Sequence, residues 1–143
     1  MKVRQISIFL ENKSGRLAQV TRALGANSIN IRALSIADTT DFGILRLIVS
    51  EPEKAYVVLK ESGFTVSTTD VIAVEIADTP GGLDVALEAL EKVGINIEYL
   101  YAFVQKASSA ALVVFRVEQV DEAVKVLQQS GNRILSENEV NLL

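Results

Sequence analysis

Two short stretches of the chain carry residue types at a spacing suited to holding a small charged molecule. The first reads Glu11-Asn12-Lys13-Ser14-Gly15-Arg16-Leu17, and the second Ala77-Asp78-Thr79-Pro80-Gly81-Gly82-Leu83. Each joins an alternating apolar segment to one with helical spacing. Glycine lets a backbone approach a ligand closely, and a helix start presents unpaired N–H groups with partial positive charge. Together they suit a small anion such as a carboxylate. Asn12 or Asp78 in the same loop can accept a hydrogen bond from an ammonium group. A tight strand-to-helix turn, with glycine serving geometry alone, accounts equally well for the pattern. The other candidates are Asn30 and Asn96, each set between two isoleucines. A side-chain amide both donates and accepts, which suits a zwitterion. Asn is also ordinary turn chemistry where a chain leaves a helix.

Composition removes most other chemistry. The 143 residues include no Cys and no His. Disulfides, thiol nucleophiles, iron–sulfur clusters and Cys-ligated zinc are therefore excluded, as are the Ser-His-Asp triad and the commonest metal ligand. No catalytic group, metal or cofactor is called for. The net charge of −4 has the wrong sign for tracking a phosphate backbone, and Lys and Arg are scattered. Tyr99, Tyr101 and Phe103 alternate as base-stacking aromatics do, but without basic neighbours they read as core or interface. The carboxylates Asp38 with Asp41, and Glu137 with Glu139, read as solvated turn residues. No apolar run reaches the roughly 18 residues of a membrane span. Met1-Lys2-Val3-Arg4-Gln5 leads straight into an alternating segment, without the apolar core or cleavage site of a signal peptide. These features predict a soluble cytoplasmic protein with neither membrane nor nucleic-acid partners.

The elements that must position the candidate residues come in two copies. Ser28-Ile29-Asn30-Ile31 matches Gly94-Ile95-Asn96-Ile97 at an offset of 66, which also aligns Gly15 with Gly81, Leu17 with Leu83 and Leu24 with Leu90. Later, Ala55, Val58, Leu59, Ser62 and Gly63 align with Ala123, Val126, Leu127, Ser130 and Gly131 at an offset of 68. Two copies, 1–69 and 70–143, account for the chain as a tandem duplication.

Each copy reads strand, helix, strand, strand, helix, strand. Ile6, Ile8 and Leu10 alternate at strand period, and Ile72, Val74 and Ile76 repeat them. Leu17, Val20 and Leu24, like Leu83, Ala86, Leu87 and Leu90, fall at helical spacing. Ser14 and Thr79 stand where a hydroxyl can cap a helix, and Pro80 suits its first turn. Segments 31–38 and 42–49 read as a hairpin, as do 97–105 and 109–117 around Lys106-Ala107-Ser108. Pro52-Glu53 opens a second helix that Gly63 ends, and Gly131 ends its repeat. Final strands are expected at 64–69 and 133–142. The order predicts an α+β protein of two ferredoxin-like βαββαβ units, antiparallel sheets with helices on one face. Several strands are apolar on both sides. Ile44 and Ile48 oppose Leu45, Leu47 and Val49, and Leu100 and Ala102 oppose Ile97, Tyr99, Tyr101 and Phe103. Sheets open to water alternate apolar with polar, so the second face is expected to be covered by association.

The run Asp78-Thr79-Pro80-Gly81-Gly82-Leu83 followed by Val93-Gly94-Ile95-Asn96-Ile97 resembles the ACT domain, a family of small βαββαβ regulatory modules that bind amino acids. The resemblance covers the whole chain as two adjacent units. It implies that ligand binds between the glycine loop of one unit and the helix-to-strand Asn region of a neighbour. Carried over by position, the site comprises Asn12, Gly15, Arg16, Leu17, Asn30 and Ile31, and Asp78, Gly81, Gly82, Leu83, Asn96 and Ile97. The first copy departs from the pattern: Ser14 replaces the proline and Arg16 the second glycine. Arg16 either extends an anion site or fills and disables it, so ordinary amino-acid binding is expected in the second copy. The implied role is a non-enzymatic sensor that forms a homodimer or higher homo-oligomer and acts on a separate enzyme or regulator. The alternatives are a ligand-free adaptor or dimerisation module, and an acylphosphatase-like enzyme using Arg16 and Asn30.

Overall fold

The computed structural model describes residues 1–38, 41–104 and 110–143. Its elements are β1 (Val3–Glu11), α1 (Arg16–Ala26), β2 (Ile31–Asp38), β3 (Phe42–Val49), α2 (Pro52–Glu61), β4 (Thr65–Ala77), α3 (Gly82–Lys92), β5 (Tyr99–Ala102), β6 (Ala110–Arg116), α4 (Val120–Gln129), β7 (Ile134–Leu135) and α5 (Glu137–Asn141). The chain divides into two compact units, Arg4–Thr69 and Asp70–Leu143, the latter grouped with Met1–Val3. The α+β architecture of two ferredoxin-like units is the one observed. The expected turns at Thr39-Thr40 and Lys106-Ala107-Ser108 lie outside the described residues.

In the first unit β3 lies between β1 and β2, all antiparallel, with Ile8 opposite Leu45 and Leu34 opposite Leu47. Alternate side chains Ile6, Ile8, Leu10, Leu45 and Leu47 share a core with Val20 and Leu24 of α1 and Ala55 and Leu59 of α2. Strand alternation and helical spacing therefore converge on one face, the one the helices cover. The second unit orders its strands β7-β4-β6-β5, again antiparallel. Ile72, Val74, Ile76 and Phe115 pack there against Ala86, Leu90, Ala123 and Leu127.

Three local expectations are corrected. Ser14 and Thr79 cap nothing, and Pro80 precedes α3 instead of opening it. The N-caps are Gly15 and Gly81, without a side-chain cap bond, at φ 88° and 83°. The Gly82 amide donates to the Thr79 carbonyl at 2.9 Å, and the Arg16 amide to the Lys13 carbonyl at 3.3 Å. Thr79-Pro80-Gly81-Gly82 thus has the form of a type II turn, with proline second and a left-handed glycine third. The strands expected at 64–69 and 72–76 are one 13-residue strand, β4. No glycine or proline interrupts its β-branched run. The last strand is only two residues long and gives way to α5. Ser136 Oγ accepts from the Glu139 amide, and the Glu139 carboxylate accepts from the Ser136 amide, both at 3.2 Å. This capping box starts a helix where the apolar pattern alone suggested strand.

The sheet faces away from the helices differ between units. Tyr101, Phe103, Leu112 and Val114 are buried in the second, so these aromatics are not displayed for base stacking. In the first, Ile48 and Ala33 are buried, but Phe9 is 49% and Ile44 38% exposed. Phe9 stacks on Phe42 with ring centroids 4.9 Å apart. An apolar patch thus remains exposed on the first unit.

Candidate functional site

Each glycine of the second loop has a geometric reason. Gly81 holds the left-handed position of the turn. Gly82 lies against the end of β4, where an added Cβ would meet the Ala77 carbonyl oxygen at 2.0 Å. Only glycine lets α3 start this close to the strand. The candidate site is the space beside the loop. A cavity of about 420 Å³ lies there, lined by Thr79, Gly81, Gly82 and Val85 on one side and by Gly131, Asn132 and Arg133 on the other. That volume falls within the usual small-molecule range of roughly 300–1,000 Å³. The first-turn N–H groups of α3 supply the partial positive charge of a helix start.

The wall formed by Asn132 and Arg133 went unpredicted. Asn132 Nδ2 donates to the Glu75 carbonyl at 3.3 Å, which fixes the orientation of the amide. Its Oδ1 is buried and has no hydrogen-bond partner. Arg133 donates to the Glu75 carboxylate at 2.7 Å and also pairs with Glu139. The Ser136 amide and, less strongly, the Arg133 charge hold the Glu139 carboxyl below its ordinary range. The available signal was positional: Asn132 follows the helix-ending Gly131, and the offset of 68 pairs it with Phe64.

That pairing exposes the difference between the copies. The Arg16 guanidinium lies over the Phe64 ring, 4.9 Å from its centroid. Arg16 Nη1 donates to Gln19 Oε1 at 2.8 Å, and Nε is buried without a partner. By the repeat offsets, Arg16, Gln19 and Phe64 correspond to Gly82, Val85 and Asn132. The positions that line a cavity in the second unit are therefore held in the first by residues that make a cation–aromatic contact.

The remaining candidates do not gather within either unit. Asn12, Leu17, Asp78 and Leu83 are exposed around the loops, Leu17 and Leu83 despite their helical register. Asn30 and Asn96 are exposed beyond the C-terminal ends of α1 and α3. Eleven residues of helix separate each from its glycine loop by about 16 Å. Arg16 and Asn30 are consequently not brought together as an acylphosphatase-like pair. The Asn30 backbone is tied down, its amide donating to Ser50 Oγ at 3.0 Å and its carbonyl accepting from the Ser50 amide at 2.9 Å. Ile31 and Ile97 pack against the two cores. A second cavity, of about 550 Å³ beside Tyr56, Val57 and Val66, contains none of the candidates. Among the described residues no three Asp or Glu converge as a metal site, and no helix is long and apolar enough to cross a membrane.

Duplicated βαββαβ units, each turning into its first helix through a left-handed glycine, define a tandem of ferredoxin-like modules. The profile of the ACT domain pair matches residues 1–143, and the chain belongs to that family. A protein of Bacteroides thetaiotaomicron with a solved structure is 43% identical, over 100% of this chain and 98% of its own, with a TM-score of 0.93. The ligand-free regulatory subunit of aspartate kinase from Thermus thermophilus is 18% identical over 89% and 91%, with a TM-score of 0.64. The corresponding subunit from Thermus flavus is 17% identical over 90% and 92%, with a TM-score of 0.59. These two share the fold. No curated protein matches the sequence significantly.

Proposed function

We propose that the chain is a non-catalytic, cytoplasmic regulatory protein that binds a small amino acid at the glycine loop of its second unit. The cavity at Gly81 and Gly82 carries this reading, because it joins a helix N-terminus to a space large enough for an amino acid. The ligand carboxylate is directed to the first-turn N–H groups of α3. Asp78 and Leu83 border the loop, and the region of Asn96 and Ile97 is contributed by a neighbouring unit. Asn12, Gly15, Leu17, Asn30 and Ile31 form the equivalent but altered site of the first unit. Binding between units favours one arrangement over another by differential affinity, which is how such a protein would signal to a separate enzyme or regulator.

A thermal-shift screen of the twenty protein amino acids tests this. A ligand at 100 times its Kd adds about 2.7 kcal/mol of apparent stability. If none of the twenty raises the midpoint, the sensor reading is lost. The ligand-free adaptor then takes its place, favoured by the exposed Phe9, Phe42 and Ile44.

A further inference from the structure

The boundary between the two units does not fall in a linker. Domain junctions are ordinarily exposed stretches rich in glycine, proline and polar residues. Here the chain starts in the second unit with Met1–Val3, enters the first at Arg4 and returns to the second at Asp70. Both passages lie within strands. β1 runs from Val3 to Glu11 and β4 from Thr65 to Ala77, and neither contains glycine or proline. The period-two alternation of β4 keeps its phase through the passage, with Val66 packed on the first core and Ile72, Val74 and Ile76 inside the second. The N-terminal end is anchored as well. Val3 is buried, and the Lys2 ammonium lies 3.8 Å from the Asp121 carboxylate of α4.

Opening either unit alone requires β4 to be released in mid-strand and β1 to let go at its first residue. The half still held in the folded unit restrains the freed half. Such an opening gains less chain entropy than one that ends at a flexible linker. We infer that this sharing of strands makes the two units one cooperative body, in which stability lost or gained in one is felt in the other. β4 carries most of the coupling, because it sends three core side chains past the boundary where β1 sends only Val3. The inference does not depend on the glycine loop taking an amino acid. Any ligand that tightens the second unit would also slow the opening of the first.

Hydrogen exchange on the full chain, read by mass spectrometry in low urea, tests this through the slowest amides of α1 and α3, one helix from each unit. In the wild type both sets should share one opening constant and one urea dependence. Leu90→Ala removes a side chain buried in the second core and should speed those amides at least about thirtyfold, in α1 as in α3. Ile95→Val is a milder loss from the same core and should speed both sets by one factor of about two to ten. It keeps the test decisive if Leu90→Ala fails to fold. Inserting Gly-Ser-Gly-Ser between Thr69 and Asp70 should then confine the effect of Ile95→Val to α3. Acceleration confined to α3 in the uninterrupted chain overturns the inference. An insertion that leaves both helices equally affected overturns the role given to β4.

Discussion

Gly82→Ala separates two opposing effects at the start of α3. Helix propensity alone favours alanine by about 1 kcal/mol. Against this stands the new Cβ, placed 2.0 Å from the Ala77 carbonyl oxygen and 3.0 Å from its carbon. The obstacle is backbone at the end of β4, so no side chain can rotate away. The helix start must withdraw by at least about 1 Å to reach the closest contacts real Cβ atoms make. Overpacking of this kind costs about 1–3 kcal/mol, and a rigid backbone obstacle belongs at the upper end. The net expectation is a loss of about 2 kcal/mol. With a urea slope of about 2 kcal/mol/M, the midpoint falls by about 1 M. Far-UV circular dichroism through a urea titration reads this directly. Gly81→Ala is the control for backbone conformation, since nothing lies within 4 Å of its Cβ but φ is 83°; it should cost about 1–2 kcal/mol. Arg16→Gly at the equivalent position should cost about 1 kcal/mol of propensity and roughly a further 0.5–1 kcal/mol from the lost contact with the Phe64 ring, with no clash relieved. An unchanged or raised midpoint for Gly82→Ala would refute the close-approach argument.

Other outcomes follow from single positions. Ser28 holds φ 58°, where its repeat Gly94 holds φ 72°, so Ser28→Gly should gain up to about 1 kcal/mol and Gly94→Ala lose about as much, both read by urea denaturation. Glu139 ionises below its ordinary range in the folded chain, so the unfolded chain holds more protons between the two values. The stability it provides is present above the ordinary carboxylate range and is lost as pH falls through the lowered value; Glu139→Gln should flatten that part of an acid titration of stability. The exposed Phe9, Phe42 and Ile44 should place the wild type above monomer mass in light scattering at micromolar concentration. Ile44→Lys should lower that mass, and a monomeric wild type would remove the argument for covered sheet faces.

Much of the fold was legible because duplication states every signal twice. Two alternating triplets and two helical stripes, with Gly63 and Gly131 closing the second helix of each copy, leave few arrangements other than paired βαββαβ units. What misled was local competition. Ser136 and Glu139 form a reciprocal cap that overrides a β-rich run, and only reading their spacing of three shows it. Pro80 suggested a helix opening but stands two residues before Gly82, as the second position of a type II turn. The candidate site was half legible. Its glycine loop could be read directly, whereas Asn132 follows its helix as an ordinary turn residue and acquires meaning only beside Gly82. Asn30 and Asn96 stood out through repetition, but repetition preserves turn chemistry as faithfully as binding chemistry, and α1 and α3 hold them far from their own loops.

The divergence of the two copies has a physical logic in packing. Gly82 is required by the approach of α3 to the end of β4, and the same absence of a side chain keeps the loop side of the cavity open. A side chain there would cost packing and fill space at once. In the first unit Arg16 carries a Cβ, and its guanidinium finds an aromatic surface at Phe64 and an acceptor at Gln19. Changing one partner alone is unfavourable in either unit. An arginine facing Asn132 loses the ring beneath it, and Phe64 facing a glycine exposes apolar surface. The two positions are therefore expected to be coupled. Arg16→Ala and Phe64→Ala should sum to a larger destabilisation than the double substitution, by roughly 0.5–1 kcal/mol for a partly exposed cation–aromatic pair. Simple additivity in a double-mutant cycle would mean that the guanidinium and the ring are neighbours without being partners.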